Sequence, residues 1–242
     1  MDEVDLNGRM LLGKPIHVSK INIYPLTMDE IFDEKGEIGF EVYNRYLSIL
    51  CIDSDTIKEL LGIDDDNQII EPFDYLYLNC LQNEELRNLI LKAFNLFLKE
   101  QVSFCEEGYF LVGDFITGNI INRLNFNSIV DILKQQNCIN NKSKIAKPQN
   151  EKQKEFFKKL KQMREKYAKY QPSQPDITDI MSSVCSKHPS INVFNIGGLT
   201  MYQLIDQYKR LNMIDEYFLS VESLLHGASK DEVKLIHWSS KK

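Results

Sequence analysis

The stretch from residue 194 to residue 238 constrains the fold most, because its apolar residues recur at helical spacing. Thr200 and Gln203 match a capping box, in which the hydroxyl accepts a backbone N–H and the amide reaches back to the cap. The pattern predicts two helices joined by a short turn, with Gly227 ending the second helix. The predicted stripes are Met201, Leu204, Ile205, Tyr208 and Leu211 in the first helix, and Ile214, Tyr217, Phe218, Val221, Leu224 and Leu225 in the second.

The first 140 residues mix strand and helix signals. Residues 16–24 are rich in β-branched side chains and predict one extended strand that changes face near Lys20. Capping residues and apolar periodicity predict helices that begin at Thr27, near residues 40 and 56, at Asn83 and at Asn127. Two β-prone runs flank Glu106, Glu107 and Gly108 and predict a hairpin. We therefore expect an α+β fold that is predominantly α-helical, with a small sheet or hairpin in this half.

The second half is organised differently. Residues 140–150 are polar and contain Pro148, which is typical of a linker. Residues 151–170 predict a long basic helix, and a proline-rich break at 171–175 separates it from a helix capped by Asp176 or Thr178. We predict an α+β domain at 1–140, a linker at 141–150 and a helical domain at 151–242.

Composition and charge limit the class of protein. No run of eighteen apolar residues is present, and the acidic N-terminal segment lacks the pattern of a secretory signal, so we expect a cytosolic protein with no membrane contact. Five widely spaced cysteines do not indicate a disulfide framework. Residues 1–116 hold 23 acidic and 9 basic side chains, whereas residues 117–242 hold 12 and 20. This polarity can steer association with a charged partner or a second copy, although it also fits two differently solvated surfaces.

Candidate chemical sites are weak throughout. The acidic run at residues 64–67 lacks the spacing of a calcium loop and predicts an exposed turn. Gly197 and Gly198 precede a helix and could admit an anion, but a tight turn is the commoner use of such a pair. Cys185 and His188 could mimic a nucleophile and its base, yet no third group orients them. We predict no catalytic residue, no metal ligand, no cofactor and no enzymatic activity.

The C-terminal half resembles the tail assembly chaperones of tailed bacteriophages and of phage-like tail particles from Gram-positive bacteria. The similarity rests on the order of a basic helix, KEFFKKLKQMREKYAKY, a proline-rich break, a second amphipathic helix, and the run LTMYQLIDQYKRLNMIDEYFLSVESLLHGASKDEVKLIHW. This resemblance implies a non-enzymatic protein that binds the tape-measure protein and other tail proteins. It also implies that the protein keeps its client soluble in the host bacterial cytoplasm during tail assembly.

Under this hypothesis two apolar stripes bind the partner, although both could instead pack into the chain's own core. The predicted partner-binding residues are Phe156, Phe157, Leu160, Met163, Tyr167, Tyr170, Met201, Leu204 and Tyr208. An alternative role is a structural subunit that remains in the virion tail or baseplate, and a homo-oligomer is possible in either role. Nucleic-acid binding by the basic helix is a less favoured alternative, because the pI is low, and it would weaken steeply with salt.

Overall fold

A computed structural model describes residues 2–33, 39–63, 70–116, 118–139, 175–229 and 233–240. These residues form nine α-helices and two small antiparallel sheets, which confirms a predominantly helical α+β fold. The helices are α1 (Glu3–Leu11), α2 (Met28–Ile31), α3 (Phe40–Leu50), α4 (Ser54–Leu61), α5 (Pro72–Gln82), α6 (Glu84–Leu98), α7 (Phe126–Gln136), α8 (Ile177–Lys187) and α9 (Met201–Leu225). A short 3-10 helix, Ile196–Gly198, precedes α9.

Residues 16–24 form a hairpin, so the prediction of one extended strand was wrong. The strands β1 (Ile16–Val18) and β2 (Ile21–Ile23) pair antiparallel, with Ile16 opposite Ile23. The chain reverses at Ser19, whose φ of 56° lies in the left-handed region. The chain therefore reverses direction at the place where only a change of face was predicted. A non-glycine residue at positive φ is uncommon, so this turn was not expected from the sequence.

The second sheet contains the hairpin predicted around residues 106–108. The strands β3 (Val102–Cys105) and β4 (Tyr109–Val112) pair antiparallel, and Gly108 takes the positive φ of 99° that the turn requires. A third strand, β5 (Asn119–Ile121), pairs with β4 and was not predicted. Its three residues are too few to give an alternating pattern.

Most predicted helix starts are close to the observed ones. Thr27 and Thr200 both form complete capping boxes, and Asn83 accepts a hydrogen bond from the Leu86 N–H. Asp176 forms another capping box with Asp179 at the start of α8. The predictions erred by a few residues at α4, where Asp53 is the cap, and at α7, which begins after Asn125.

Residues 201–225 form one continuous helix, so the predicted turn between two helices was wrong. The sequence between Leu211 and Ile214 contains neither glycine nor proline, and the backbone hydrogen bonding continues through it. The helix is about 37 Å long at 1.5 Å per residue. Its length carries the second apolar stripe well beyond the first.

One apolar core joins the described residues before 140 to those after 174. Residues of β1, β2 and α6 share a buried cluster with Val184 of α8 and with Met201, Leu204 and Leu211 of α9. The aromatic centre of this core contains Phe73, Phe94, Phe97, Phe110 and Phe126. The described residues 175–229 therefore pack against residues 2–139, while the boundaries of the predicted linker and domains stay predictions.

Candidate partner-binding surface

The predicted partner-binding residues fall into two groups in the structure. Phe156, Phe157, Leu160, Met163, Tyr167 and Tyr170 lie outside the described residues, as does the acidic run at 64–67. Met201 and Leu204 are buried in the core, and Tyr208 is half-buried against it. In this conformation the first α9 stripe therefore packs within the chain, and its binding to a partner stays a prediction.

The start of α9 is held against the N-terminal part of the chain by its cap. The Gln203 side chain accepts a hydrogen bond from the Thr200 N–H and donates one to the Leu11 carbonyl, at 2.8 and 2.9 Å. The Met28 N–H donates to the Leu199 carbonyl at 2.8 Å. These contacts satisfy backbone groups at the helix start, so the direction of α9 is set from this end.

The apolar stripe of α9 continues past the core and becomes exposed. Leu211 is the last residue of the helix that is buried. At the heptad positions that follow it, Phe218 is 61% exposed and Leu225 is 82% exposed. Leu219, beside this seam, is 62% exposed. We name Phe218, Leu219, Glu222 and Leu225 the distal face.

The distal face lies on the same side of the helix as the buried stripe. Leu204, Tyr208 and Leu211 are followed at the same three- and four-residue spacing by Asp215, Phe218, Glu222 and Leu225. One seam therefore runs along the helix, buried at its start and exposed at its end. The sequence analysis missed this continuation, because it predicted a turn between the two stripes.

A second feature adjoins the distal face and shares Leu219 with it, where the C-terminal segment returns along the helix. Arg210 donates hydrogen bonds to the carbonyls of Trp238 and Ser240, at 2.7 and 3.0 Å. The ring of Tyr217 meets that of His237 edge-on, with 5.2 Å between centroids. A groove of about 710 Å³ opens between this segment and the helix, lined by Lys209, Asn212, Met213, Glu216, Tyr217, Leu219, Ser220, Lys234 and Ile236.

The exposed half of α9 is acidic. Residues 212–225 contain three carboxylates, Asp215, Glu216 and Glu222, and no lysine or arginine. Asp215 pairs with Lys187 at the end of α8. Glu222 lies in the exposed seam, and its carboxylate is 4.0 Å from the His226 imidazole. A partner for this surface would need apolar side chains flanked by positive charge.

The two weak chemical candidates have structural partners. The His188 ring nitrogen Nδ1 accepts hydrogen bonds from the N–H groups of Ser190 and Ile191, both at 3.1 Å. Burial raises the pKa of the nearby Cys185 thiol, which disfavours the thiolate that a nucleophile needs. Gly197 packs directly against the Asp29 carboxylate, so an acidic side chain already occupies the place considered for an anion.

Two other kinds of feature are absent from the described ranges. Within them, no group of three His, Cys, Asp or Glu side chains is placed to hold a metal ion. No helix in the same ranges is long and apolar enough to cross a membrane. The five cysteines all lie within the described ranges and are in the thiol form.

A family model described as the YomV second domain matches residues 168–242. No curated protein and no solved structure matches the chain significantly. The matched range is about a third of the chain and contains α8, α9 and the C-terminal segment. YomV is a protein from a Bacillus phage region, so the part of the chain that carries the distal face is similar to a phage-associated domain.

Proposed function

We propose that this protein is a phage tail assembly chaperone that binds the tape-measure protein through the distal face of α9. The observation that carries the proposal is the apolar seam that leaves the core after Leu211 and is exposed at Phe218 and Leu225. An amphipathic helix with matching heptad spacing would bury these side chains by packing alongside. The match to a phage-associated domain over residues 168–242 supports the phage setting.

The proposed chemistry is non-enzymatic. A long helical client with exposed apolar residues aggregates unless those residues are covered, and burial against the distal face would cover them. Binding of this kind needs no cofactor and no metal. The protein would act in the host bacterial cytoplasm and would be released when tail tube subunits take over the client.

A structural subunit of the virion tail or baseplate is the second candidate, and one observation favours it. A separate group of apolar side chains surrounds β5, the terminal strand of its sheet, and comprises Phe115, Ile116, Ile120 and Leu124. Phe115 is 83% exposed and Leu124 is 91% exposed. A subunit of a permanent assembly needs contacts with more than one neighbour, and two apolar surfaces would provide them.

The test combines mass spectrometry of purified tail particles with a pull-down of the tagged full-length protein from an assembling lysate. Absence from particles together with recovery of the tape-measure protein would support the chaperone. Stoichiometric presence in particles would contradict it and support the structural subunit.

Two matched variants sharpen this test, because each replaces an exposed phenylalanine by serine. Phe218→Ser removes one apolar side chain from the distal face and should lower tape-measure recovery about tenfold, as expected for a buried aromatic contact. Phe115→Ser makes the same change beside β5 and should leave recovery unchanged if the protein is a chaperone. Loss of particle assembly with Phe115→Ser would favour the structural role instead.

A further inference from the structure

We propose that residues 151–170 of this chain bind the distal face of its own α9. The distal face exposes Phe218 and Leu225 on the seam and Leu219 beside it, and these are large apolar side chains at the end of a helix whose start is buried. Burial of such side chains is favourable by an amount proportional to the apolar area removed from water. The inference concerns the isolated protein and does not depend on the proposed function.

Charge favours this segment as the occupant. Residues 151–170 contain eight lysine and arginine side chains and three glutamates, whereas residues 212–225 contain three carboxylates and no basic side chain. Asp215 is already paired with Lys187, but Glu222 stands on the exposed seam itself. Lys159, Arg164 and Lys166 flank the apolar stripe of the basic segment and would meet the acidic surface.

The same charges disfavour a second copy of α9 as the occupant. Two distal faces packed antiparallel about their common centre would bring Glu222 of each copy against the acidic end of the other. Like charges across a helix interface destabilise it unless something compensates them. Residues 212–225 supply no lysine or arginine that could do so.

The apolar spacing of the segment matches that of the helix. Phe156, Leu160, Met163, Tyr167 and Tyr170 are separated by alternating steps of four and three residues. The seam of α9 has the same alternation through Leu211, Asp215, Phe218, Glu222 and Leu225. In a side-by-side packing Phe218 and Leu225 would meet the apolar stripe of the segment. The carboxylate of Glu222, which lies between them, would meet a flanking lysine.

The connection along the chain is short enough. Five peptide units separate Tyr170 from Pro175 and span at most about 17 Å. The helix α8 begins beyond Asp176, is about 16 Å long, and contacts Asp215 of α9 through Lys187. The segment joins the opposite end of α8, so the break and the helix together keep Tyr170 within about 33 Å of Asp215. A tether of this length gives an effective concentration of the order of millimolar.

Docking of this segment would make it a competitor of any client that binds the distal face. A basic amphipathic client helix would have to displace residues 151–170, so the tethered segment would weaken client binding and sharpen its selectivity. This consequence holds only if the proposed function also holds. Docking itself is measured without a client, so the two ideas can fail separately.

The experiment is carbodiimide crosslinking of the full-length protein, which joins carboxylates to lysines in direct contact. A mixture of ¹⁵N-labelled and unlabelled chains shows whether each crosslink forms within one chain or between two. The expected result is a crosslink from Glu222 to Lys159 or Lys166 within one chain. Crosslinks that occur only between chains would overturn the proposal and indicate a second copy as the occupant.

Two variants control for accidental encounters. Phe218→Ser should lower the initial rate of this crosslink about tenfold, because the apolar contact is lost. Phe194→Ser is the matched control, since Phe194 is 96% exposed and lies before α9, and its rate should equal that of the unmodified protein. Equal rates for both variants would mean that the distal face does not bind the segment.

A second measurement uses amide hydrogen exchange and needs no crosslink. The charge-reversal variant Lys159→Glu, Arg164→Glu, Lys166→Glu changes only residues of the segment. Amides of residues 216–225 should exchange about tenfold faster in this variant, because residues 151–170 would no longer bind the distal face of α9. Unchanged exchange there would overturn the proposal, and unchanged exchange in α6 would show that the variant is folded.

Discussion

Thr27 and Thr200 form an isolated antiparallel β-bridge, and each is also the N-cap of a helix with a complete capping box. The beginnings of α2 and α9 are thereby joined, although they are far apart in the sequence. In each helix the capping box satisfies a backbone N–H group of the first turn. The β-bridge then holds the starts of α2 and α9 side by side. This contact fixes the position at which α9 begins.

Replacing Thr200 by alanine should destabilise the protein by about 1 kcal/mol, because the hydroxyl that accepts the Gln203 N–H is lost. Thr200 is only 3% exposed, so water cannot readily replace it. The measurement is urea unfolding followed by circular dichroism. Thr200→Ser keeps the hydroxyl and should recover most of the loss, whereas equal losses in both variants would contradict a capping role.

Replacing Gly197 by alanine should destabilise the protein by about 1–3 kcal/mol, since the new Cβ would overlap the Asp29 carboxylate. The matched control is Gly198→Ala, because a Cβ at Gly198 meets no atom within 4 Å. Adding Asp29→Ala to Gly197→Ala should recover part of the stability through non-additivity. Purely additive losses in thermal unfolding would contradict this contact.

Replacing Tyr43 by phenylalanine should cost about 1–2 kcal/mol, because the phenol is buried and donates to the Asn137 side chain. Burial also raises the pKa of Tyr43, so the phenol stays protonated over the range in which the fold is stable. The measurement is chemical unfolding at neutral pH. Tyr75→Phe, a half-buried tyrosine of α5, is a comparison that should change stability less.

The Glu30 carboxylate should contribute stability that is lost in acid. Partial burial opposes its ionisation, but hydrogen bonds from Lys99 and Thr27 outweigh burial and hold the pKa of Glu30 below its ordinary value. Because the folded-state pKa is lowered, the contribution is present above the unfolded pKa and disappears as the pH falls through the folded one. The group is half-exposed, so we expect less than about 1 kcal/mol.

Glu30→Gln tests this prediction, because glutamine keeps the capping acceptor for the Thr27 N–H and removes only the charge. Its free energy of unfolding should be lower than that of the unmodified protein at pH about 7, and the difference should shrink as the pH falls towards about 3 through the folded-state pKa of Glu30. A constant difference across this range would show that the charge is not the cause.

Replacing Arg210 by alanine should release the C-terminal segment from α9, because the guanidinium holds the carbonyls of Trp238 and Ser240. Trp238 is the only tryptophan and is 41% exposed, so its fluorescence reports the change directly. We expect a red shift of its emission and stronger quenching by acrylamide. Lys209→Ala removes a neighbouring charge without these hydrogen bonds and should leave the spectrum unchanged.

Local signals predicted much of the architecture correctly. Helix starts were predicted from the capping boxes at Thr27 and Thr200 and from the cap at Asn83. A cap is a hydrogen bond between a side chain and an N–H group a few residues away, so a short stretch of sequence is enough to recognise it. The hairpin at Gly108 was equally local. The reversal at Ser19 was missed because a non-glycine residue takes the positive φ there.

The candidate surface shows the limit of such reasoning. The sequence placed Leu204 and Phe218 in apolar stripes, and the resemblance led us to assign binding to the first stripe rather than the second. In the structure Leu204 is fully buried and Phe218 is 61% exposed. Periodicity states which residues share a face, but not how far a neighbouring element covers that face.

The sequence by itself determined most of the helix starts, the two apolar stripes within residues 201–225 and the separation of acidic from basic segments, because each depends on residues close together in the chain. Only the tertiary structure decided that α9 is continuous and that its seam is buried up to Leu211 and exposed beyond it. The physical reason is that burial depends on contacts with α1 and α7, which are distant in sequence, as well as with the nearby α8. A helix longer than the core it packs against extends beyond that core at its far end.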